Sequence, residues 1–263
     1  NDDGDSLSLS LKLLSIIPVM DSGAPATNAT FPRDVWLTIE DFVSIMEESS
    51  STNKIKNAAQ SPLLSGSWRL LYSNAPEIVG LAKGLPLGFY LGPTYQPLDT
   101  SKGFFENTAR LDHPYQLATL KTIVVGNIEA SPMGSLNAVG IVNDKNNRVT
   151  VNFEAIVFEV DSVLGRPLQT PIRKTLVPRK AIREEGTTPL PANDQTYLDE
   201  RVRIVRGGDG SLFVFSREDE NFTPLSLEER ASITLIGTDR EQKKGKTSKE
   251  IPAEIKYLFR EQK

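Results

Sequence analysis

The 263-residue chain contains no cysteine and a single histidine, His113. Without a thiolate there is no disulfide framework, no cysteine nucleophile and no Cys-type zinc site, because each needs the sulfur itself. One imidazole cannot build a multi-histidine metal site, and a Ser-His-Asp triad would have to run through Leu111-Asp112-His113-Pro114-Tyr115. Proton transfer near neutral pH would fall to carboxylates or lysines of shifted pKa. No such catalytic pair is evident: Asp199 and Glu200 are adjacent, so on a strand they would point to opposite faces. The sequence therefore predicts a non-enzymatic protein that needs no metal or cofactor. Long apolar runs are also lacking, since no stretch approaches the roughly 20 residues that cross a bilayer as a helix. The chain is mildly acidic, with 34 Asp and Glu against 30 Lys and Arg. That balance, and the absence of a recognition motif, argue against nucleic acid as a partner.

What is present is a change of period. Residues 1–60 hold nine acids against four bases and form an acidic N-terminal helical region. Within it, Val35, Trp36, Ile39, Phe42, Val43 and Met46 fall on one face of a helix opened by Pro32. The run Leu7 to Ile17 fits both a strand and a helix, and helix is the preferred reading. From Ser65 the period becomes two. Trp68, Leu70 and Tyr72 alternate with Arg69, Leu71 and Ser73; Val149, Val151 and Phe153 alternate with Thr150, Asn152 and Glu154; and Leu198, Val202 and Ile204 share one parity. Further strands are expected at 94–98, 103–110, 116–128, 136–142 and 211–217, about eight in all, with turns at 143–147 and 207–210. An antiparallel sheet of that size most easily removes its edges by closing, and the resulting barrel has room for side chains or one small ligand. The predicted division is a helical region 1–60, a barrel 61–217 and a C-terminal extension 218–263. In the extension, Ser226 and Glu229 have the spacing of a capping box, and Pro252 is placed to open a last short helix.

Two segments invite a surface role. Glu77 to Gly92 is apolar and glycine-rich with Lys83 its one charge after Glu77, which fits a lid over a barrel mouth, a segment dipping into a membrane interface, or a packed loop. Arg166, Arg173, Lys174, Arg179, Lys180 and Arg183 form a stretch with no acid, punctuated by Pro167, Pro171 and Pro178. The prolines suggest an irregular basic loop, suited to an anionic membrane surface or an acidic protein. Leu85, Phe89, Tyr95, Phe104, Phe153 and Phe213, with Trp68, are the expected lining or lid residues of the barrel.

Leu64-Ser65-Gly66-Ser67-Trp68-Arg69-Leu70-Leu71-Tyr72-Ser73 near the start of the barrel, and Thr196-Tyr197-Leu198-Asp199-Glu200 with Arg203 to Val214 near its end, resemble the plastid lipid-associated protein family, also called fibrillins. The resemblance covers roughly Leu7 to Arg217. Position 201 is Arg where the family block carries an acid, and residues 218–263 run past the family's usual end. The resemblance implies a lipocalin-like barrel with Gly66, Trp68, Tyr197, Asp199 and Arg203 as structural motif residues. In such a barrel Trp68 closes the floor and an arginine stacks on it, Arg203 being the first candidate and Arg217 the second. It also implies a plastid location, peripheral on thylakoid or plastoglobule, and a carotenoid, quinone or other isoprenoid lipid as cargo. A second reading stays open: a structural subunit of a thylakoid photosynthetic membrane complex whose barrel is filled by its own side chains.

Overall fold

A computed structural model of the chain describes residues 2–49, 56–137, 139–176, 191–218 and 224–233. The N-terminal region forms helix α1 (Asp2–Ile16), the short strand β1 (Ala26–Thr27) and helix α2 (Arg33–Ser49). Strand β2 (Gly66–Ser73) leads through helix α3 (Pro76–Ala82) to β3 (Tyr90–Asp99), β4 (Phe104–Asp112) and β5 (Ala118–Ala130). The long β6 (Arg148–Val163) is followed by β7 (Arg166–Leu176), β8 (Ala192–Leu198), β9 (Val202–Gly207) and β10 (Leu212–Arg217). The ring runs β2-β10-β9-β8-β6-β5-β4-β3 and is closed by β3 on β2, an eight-stranded antiparallel barrel. The all-β, lipocalin-like architecture expected from the sequence is the one observed.

Three expectations change. The strand expected at 136–142 is not formed: its described residues hold a single isolated bridge between Leu136 and Val142. The side chain of Asn137 folds that stretch by accepting from the amides of Val139 (3.1 Å) and Ile141 (2.8 Å), an Asx-type turn that competes with a ladder. Conversely, Arg166 to Leu176 is a strand despite Pro167 and Pro171, because β7 pairs only with β6 and an edge strand tolerates a missing N–H. Finally, the stretch from Leu198 to Ile204 is the end of β8, a tight turn and the start of β9. Asp199 makes that turn: its Oδ1 accepts from the amides of Arg201 (2.8 Å) and Val202 (2.7 Å). Its Oδ2 accepts from the Tyr197 hydroxyl at 2.9 Å and from Ser10 of α1. The Tyr-Leu-Asp block is therefore a turn that also ties the first helix to the barrel.

Apolar surface is buried in three places. The outer face of β2, β8, β9 and β10 carries Tyr72, Tyr197, Val202, Ile204, Leu212 and Val214, which pack against Leu13 of α1 and Ile39, Val43 and Met46 of α2. The acids of α2 clamp this contact. Glu47 takes a two-pronged bond from Arg206 (2.9 and 2.8 Å), and Glu40 accepts from the Tyr72 hydroxyl (2.7 Å) and Asn74 (2.8 Å). The outer face of β5 and β6 carries Ile123, Val125, Ala155 and Val157 and is covered by Leu225 and Ile233. There Arg230, from the helix 227–233, meets the buried Glu106 at 2.9 Å, donates to the Gly126 carbonyl at 2.5 Å and lies 4.2 Å over the Phe104 ring. Burial pushes the Glu106 carboxyl up, and the Arg230 charge opposes that shift. The capping box read at Ser226 and Glu229 is formed, with both reciprocal bonds in place at 3.0 and 3.2 Å.

The third core is the barrel floor. Trp68 is fully buried, and its indole N–H donates to the Leu64 carbonyl at 2.9 Å. Arg203 stacks 5.2 Å from the Trp68 ring and 4.2 Å from that of Phe215, donating to Gln96, while Arg217 lies 4.9 Å from Trp68. Both arginines considered as partners are thus used. Burial, and then the charge of Arg217, hold the Arg203 guanidinium down at about 9. It remains a cation at neutral pH, and the two ring faces offset part of its lost hydration. Leu70, Leu98, Phe105, Ile128, Val149, Val151 and Val205 complete the packing.

Trp68→Ala should lower the unfolding free energy by about 3–5 kcal/mol in denaturant titration; a wild-type midpoint would contradict the floor assignment. Arg230→Ala leaves Glu106 buried without its cation. It should release 224–233 to proteases while the barrel stays folded, and unchanged protection of this segment would show that the ion pair does not hold it.

Candidate functional site: a half-open apolar cup

The barrel is uneven in height because its strands are uneven in length. β5 and β6 have 13 and 16 residues, whereas β8, β9 and β10 have 7, 6 and 6. β6 meets β8 only over Arg148–Thr150, and from Ile156 to Val163 its partner is β7 instead. The ring is therefore closed only near the floor. Above it β3 to β7 continue as a tall curved wall with no counterpart among β8 to β10.

Alternation fixes which residues face inward on that wall. Phe105 packs inside the floor, so Asn107, Ala109 and Leu111 of β4 share its face. Their partners carry the face across the sheet: Ala109 to Thr122 to Phe158, Leu111 to Leu120 to Val160, and Val124 to Ile156 to Leu176. Near the floor most inward residues, among them Leu98, Phe105, Ile128, Val149 and Val151, are buried. On the tall wall Ile156 is buried, whereas Ala109, Leu111, Leu120, Val124, Phe158, Val160 and Leu176 are only partly buried. The upper barrel is thus an apolar concave surface that the described residues leave partly uncovered, a lining suited to an apolar ligand.

The segment from α3 to Phe89 lies between the end of β2 and the start of β3. Ile78 packs on the barrel core, yet no residue of α3 is fully buried. Burial, and secondarily the nearby Asp209, raise the Glu77 carboxyl above its ordinary range. The Leu85 N–H closes the following turn by donating a hydrogen bond to the Phe89 carbonyl at 3.0 Å. His113, the lone histidine, holds this segment from the adjacent end of β4: its Nε2 is 3.1 Å from the Leu87 carbonyl, and its ring meets Phe89 edge-on at 5.3 Å. The sequence suggested no role for it beyond a surface position, because its partners lie 24 to 26 positions away in the chain.

Of the expected lining residues, Phe153 and Phe213 point inward, at 5.9 Å from Phe105 and 6.4 Å from Phe215. Leu85 and Phe89 are in the turn between α3 and β3, and Trp68 is sealed in the floor. Tyr95 and Phe104 are on the outside. In β3 the inward parity belongs to Gln96 and Leu98, which leaves Tyr95 outward with its hydroxyl 3.4 Å from Glu218. In β4 it belongs to Phe105, which leaves Phe104 under Arg230. The lining missed by sequence reasoning is Leu111, Leu120, Val124, Phe158 and Val160. In β5 and β6 both parities are apolar, since Leu225 and Ile233 cover the outer one, so alternation gave no side.

The basic segment is also rearranged. Arg166 sits at the tip of the β6–β7 turn. Arg173 is paired with Glu159 and, at 3.2 Å, with Glu229. Lys174 pairs with Phe158 and so shares the inward parity of Leu176 at the β7 edge of the wall, while its neighbours Arg173 and Thr175 border a cleft of about 210 Å³ beside the helix 227–233. Arg179, Lys180 and Arg183 lie outside the described residues. Among the described residues no group of three metal-ligating side chains comes together, and no helix is long and apolar enough to cross a membrane.

Residues 8–216 match the family model described as PAP_fibrillin. Over 223 residues, which are 81% of this chain and 71% of the relative, the sequence is 24% identical to the Arabidopsis thaliana protein named plastid-lipid-associated protein 6, chloroplastic. No solved structure matches.

His113→Ala should loosen the lid. Proteolytic cleavage within 83–90 should accelerate severalfold with little change in global unfolding, and unchanged cleavage would show that His113 does not restrain it.

Proposed function

From membership of the plastid lipid-associated protein (fibrillin) family, to which this chain belongs, we propose that it binds or sequesters an isoprenoid lipid in its half-open cup. The cargo is a carotenoid, quinone or similar molecule, and the protein works on the surface of a thylakoid or plastoglobule. The observation that carries this reading is the contrast between a sealed floor and a partly uncovered apolar wall above it. Covering such side chains is worth about 25 cal/mol per Å² of apolar surface removed from water. The inward face of β5 from Gly126 to Ala118 extends roughly 25 Å at about 3.3 Å per residue, enough for several isoprene units laid along it. Its polar groups are few, chiefly Thr94, Asn107 and Thr122 on the wall and Lys174 at its β7 edge, so a quinone or hydroxyl head would be oriented by hydrogen bonds from these groups. On this reading the cargo should leave unchanged.

Mass spectrometry of an organic extract of the protein purified from plastids tests the reading. An isoprenoid near stoichiometric amounts is expected, and Phe158→Glu or Leu120→Glu should abolish it by placing a charge against the ligand. An empty extract from protein that comigrates with a thylakoid complex would overturn the carrier reading in favour of a scaffold.

A further inference from the structure

Three turns meet at the open end of the tall wall. They are the lid turn 83–90, the β4–β5 turn 113–117 and the β6–β7 turn 163–166. Contacts between them join the three into one rim: His113 to the Leu87 carbonyl (3.1 Å), the Leu164 amide to the Leu117 carbonyl (3.0 Å) and the Gly165 amide to the Gln116 carbonyl (2.9 Å). The side chains presented outward are apolar. Leu87 is 86% exposed, Tyr115 82% and Leu164 71%, with Tyr90, Leu117 and Val163 beside them also exposed.

Two of these leucines are held out against backbone preference. Leu87 and Leu164 have φ of 63° and 49°, left-handed values that Gly or Asn adopts cheaply and a leucine does not. Val163 pairs with Arg166, so Leu164 and Gly165, both at positive φ, are the two central residues of a tight hairpin for which Asn-Gly is the favoured sequence. Neither leucine gains burial in return. The three turns contain Lys83 and Arg166 and no acid.

We propose that this rim is a bilayer-docking surface, in which Leu87, Tyr115 and Leu164 enter the headgroup–acyl boundary of a membrane bearing anionic lipids and Lys83 and Arg166 meet the headgroups. Aromatic and aliphatic tips flanked by bases are the chemistry that interface accepts. The rim stands directly above Leu111, Leu120 and Val160, so docking would bring the cup mouth onto the lipid phase and let an apolar molecule pass without crossing water. In that respect the inference rests on the carrier reading of the cup.

The experiment is flotation of the purified chain, freed of lipid, with vesicles of phosphatidylcholine alone or mixed with phosphatidylglycerol, beside the variants Leu87→Asn and Leu164→Asn. Asparagine suits both backbone positions, so these variants should melt at or above the wild-type temperature. Each should cut vesicle partitioning about tenfold, the value of one leucine removed from the interface. Arg166→Glu should cut it by at least about fivefold on phosphatidylglycerol vesicles and leave phosphatidylcholine unaffected. Wild-type partitioning by the double asparagine variant would overturn the proposal. So would failure of the wild type to float, or self-association of the wild type that the same variant abolishes. The double variant should still carry isoprenoid from a detergent dispersion. A chain that floats normally but never takes up isoprenoid keeps the docking surface and refutes the carrier.

Discussion

The change of partner along β6 is the constraint on which the molecule depends. Where β6 meets β8, over three residues, the sheet closes; where it meets β7, the sheet stays open and rises. The packed floor, the half-uncovered wall and the rim of turns are all consequences of that one change of pairing.

A barrel open on one side must be stiffened from outside, and both flanks are. On the short-strand side, α1 and α2 bury a continuous apolar face and fasten it with Glu40 and Glu47. On the tall wall, the segment 224–233 covers Ile123, Val125, Ala155 and Val157 and inserts the Arg230 guanidinium against Glu106. Removing one member of a buried pair costs more than the pair contributes, so this ion pair fixes where the segment lies. Residues 224–233, beyond the stretch matched by the family model, therefore pack as part of the folded unit.

Much of the fold was legible because the relevant signals are local. Helix α2 follows from six apolar positions at a period of 3.6, the capping box from Ser226 and Glu229, and the β9–β10 turn from its glycines. The floor was legible through the resemblance, which implied the Trp68 and Arg203 stack that the structure contains. The rest depends on non-local register. Tyr95 and Phe104 lie one residue from inward positions, and only the pairing of Gly66 with Leu98 and of Leu98 with Phe105 fixes the parity. The lining of β5 and β6 was hidden because both faces are apolar, one for the cup and one for the C-terminal cover. Strand β7 was read as a loop because its prolines are tolerated only at an edge, and whether a strand is an edge is a property of the assembled sheet.

The central claim is that the inward face of the tall wall, and not the floor or the outside, receives an apolar molecule. Photocrosslinking with a diazirine-bearing prenylquinone, followed by peptide mapping, addresses it most directly. The account predicts adducts at 109–111, 120–124 and 156–160, competed by unlabelled prenylquinone. Adducts confined to outward residues such as Tyr95 and Phe104, or an unlabelled wall at saturating probe, would contradict it.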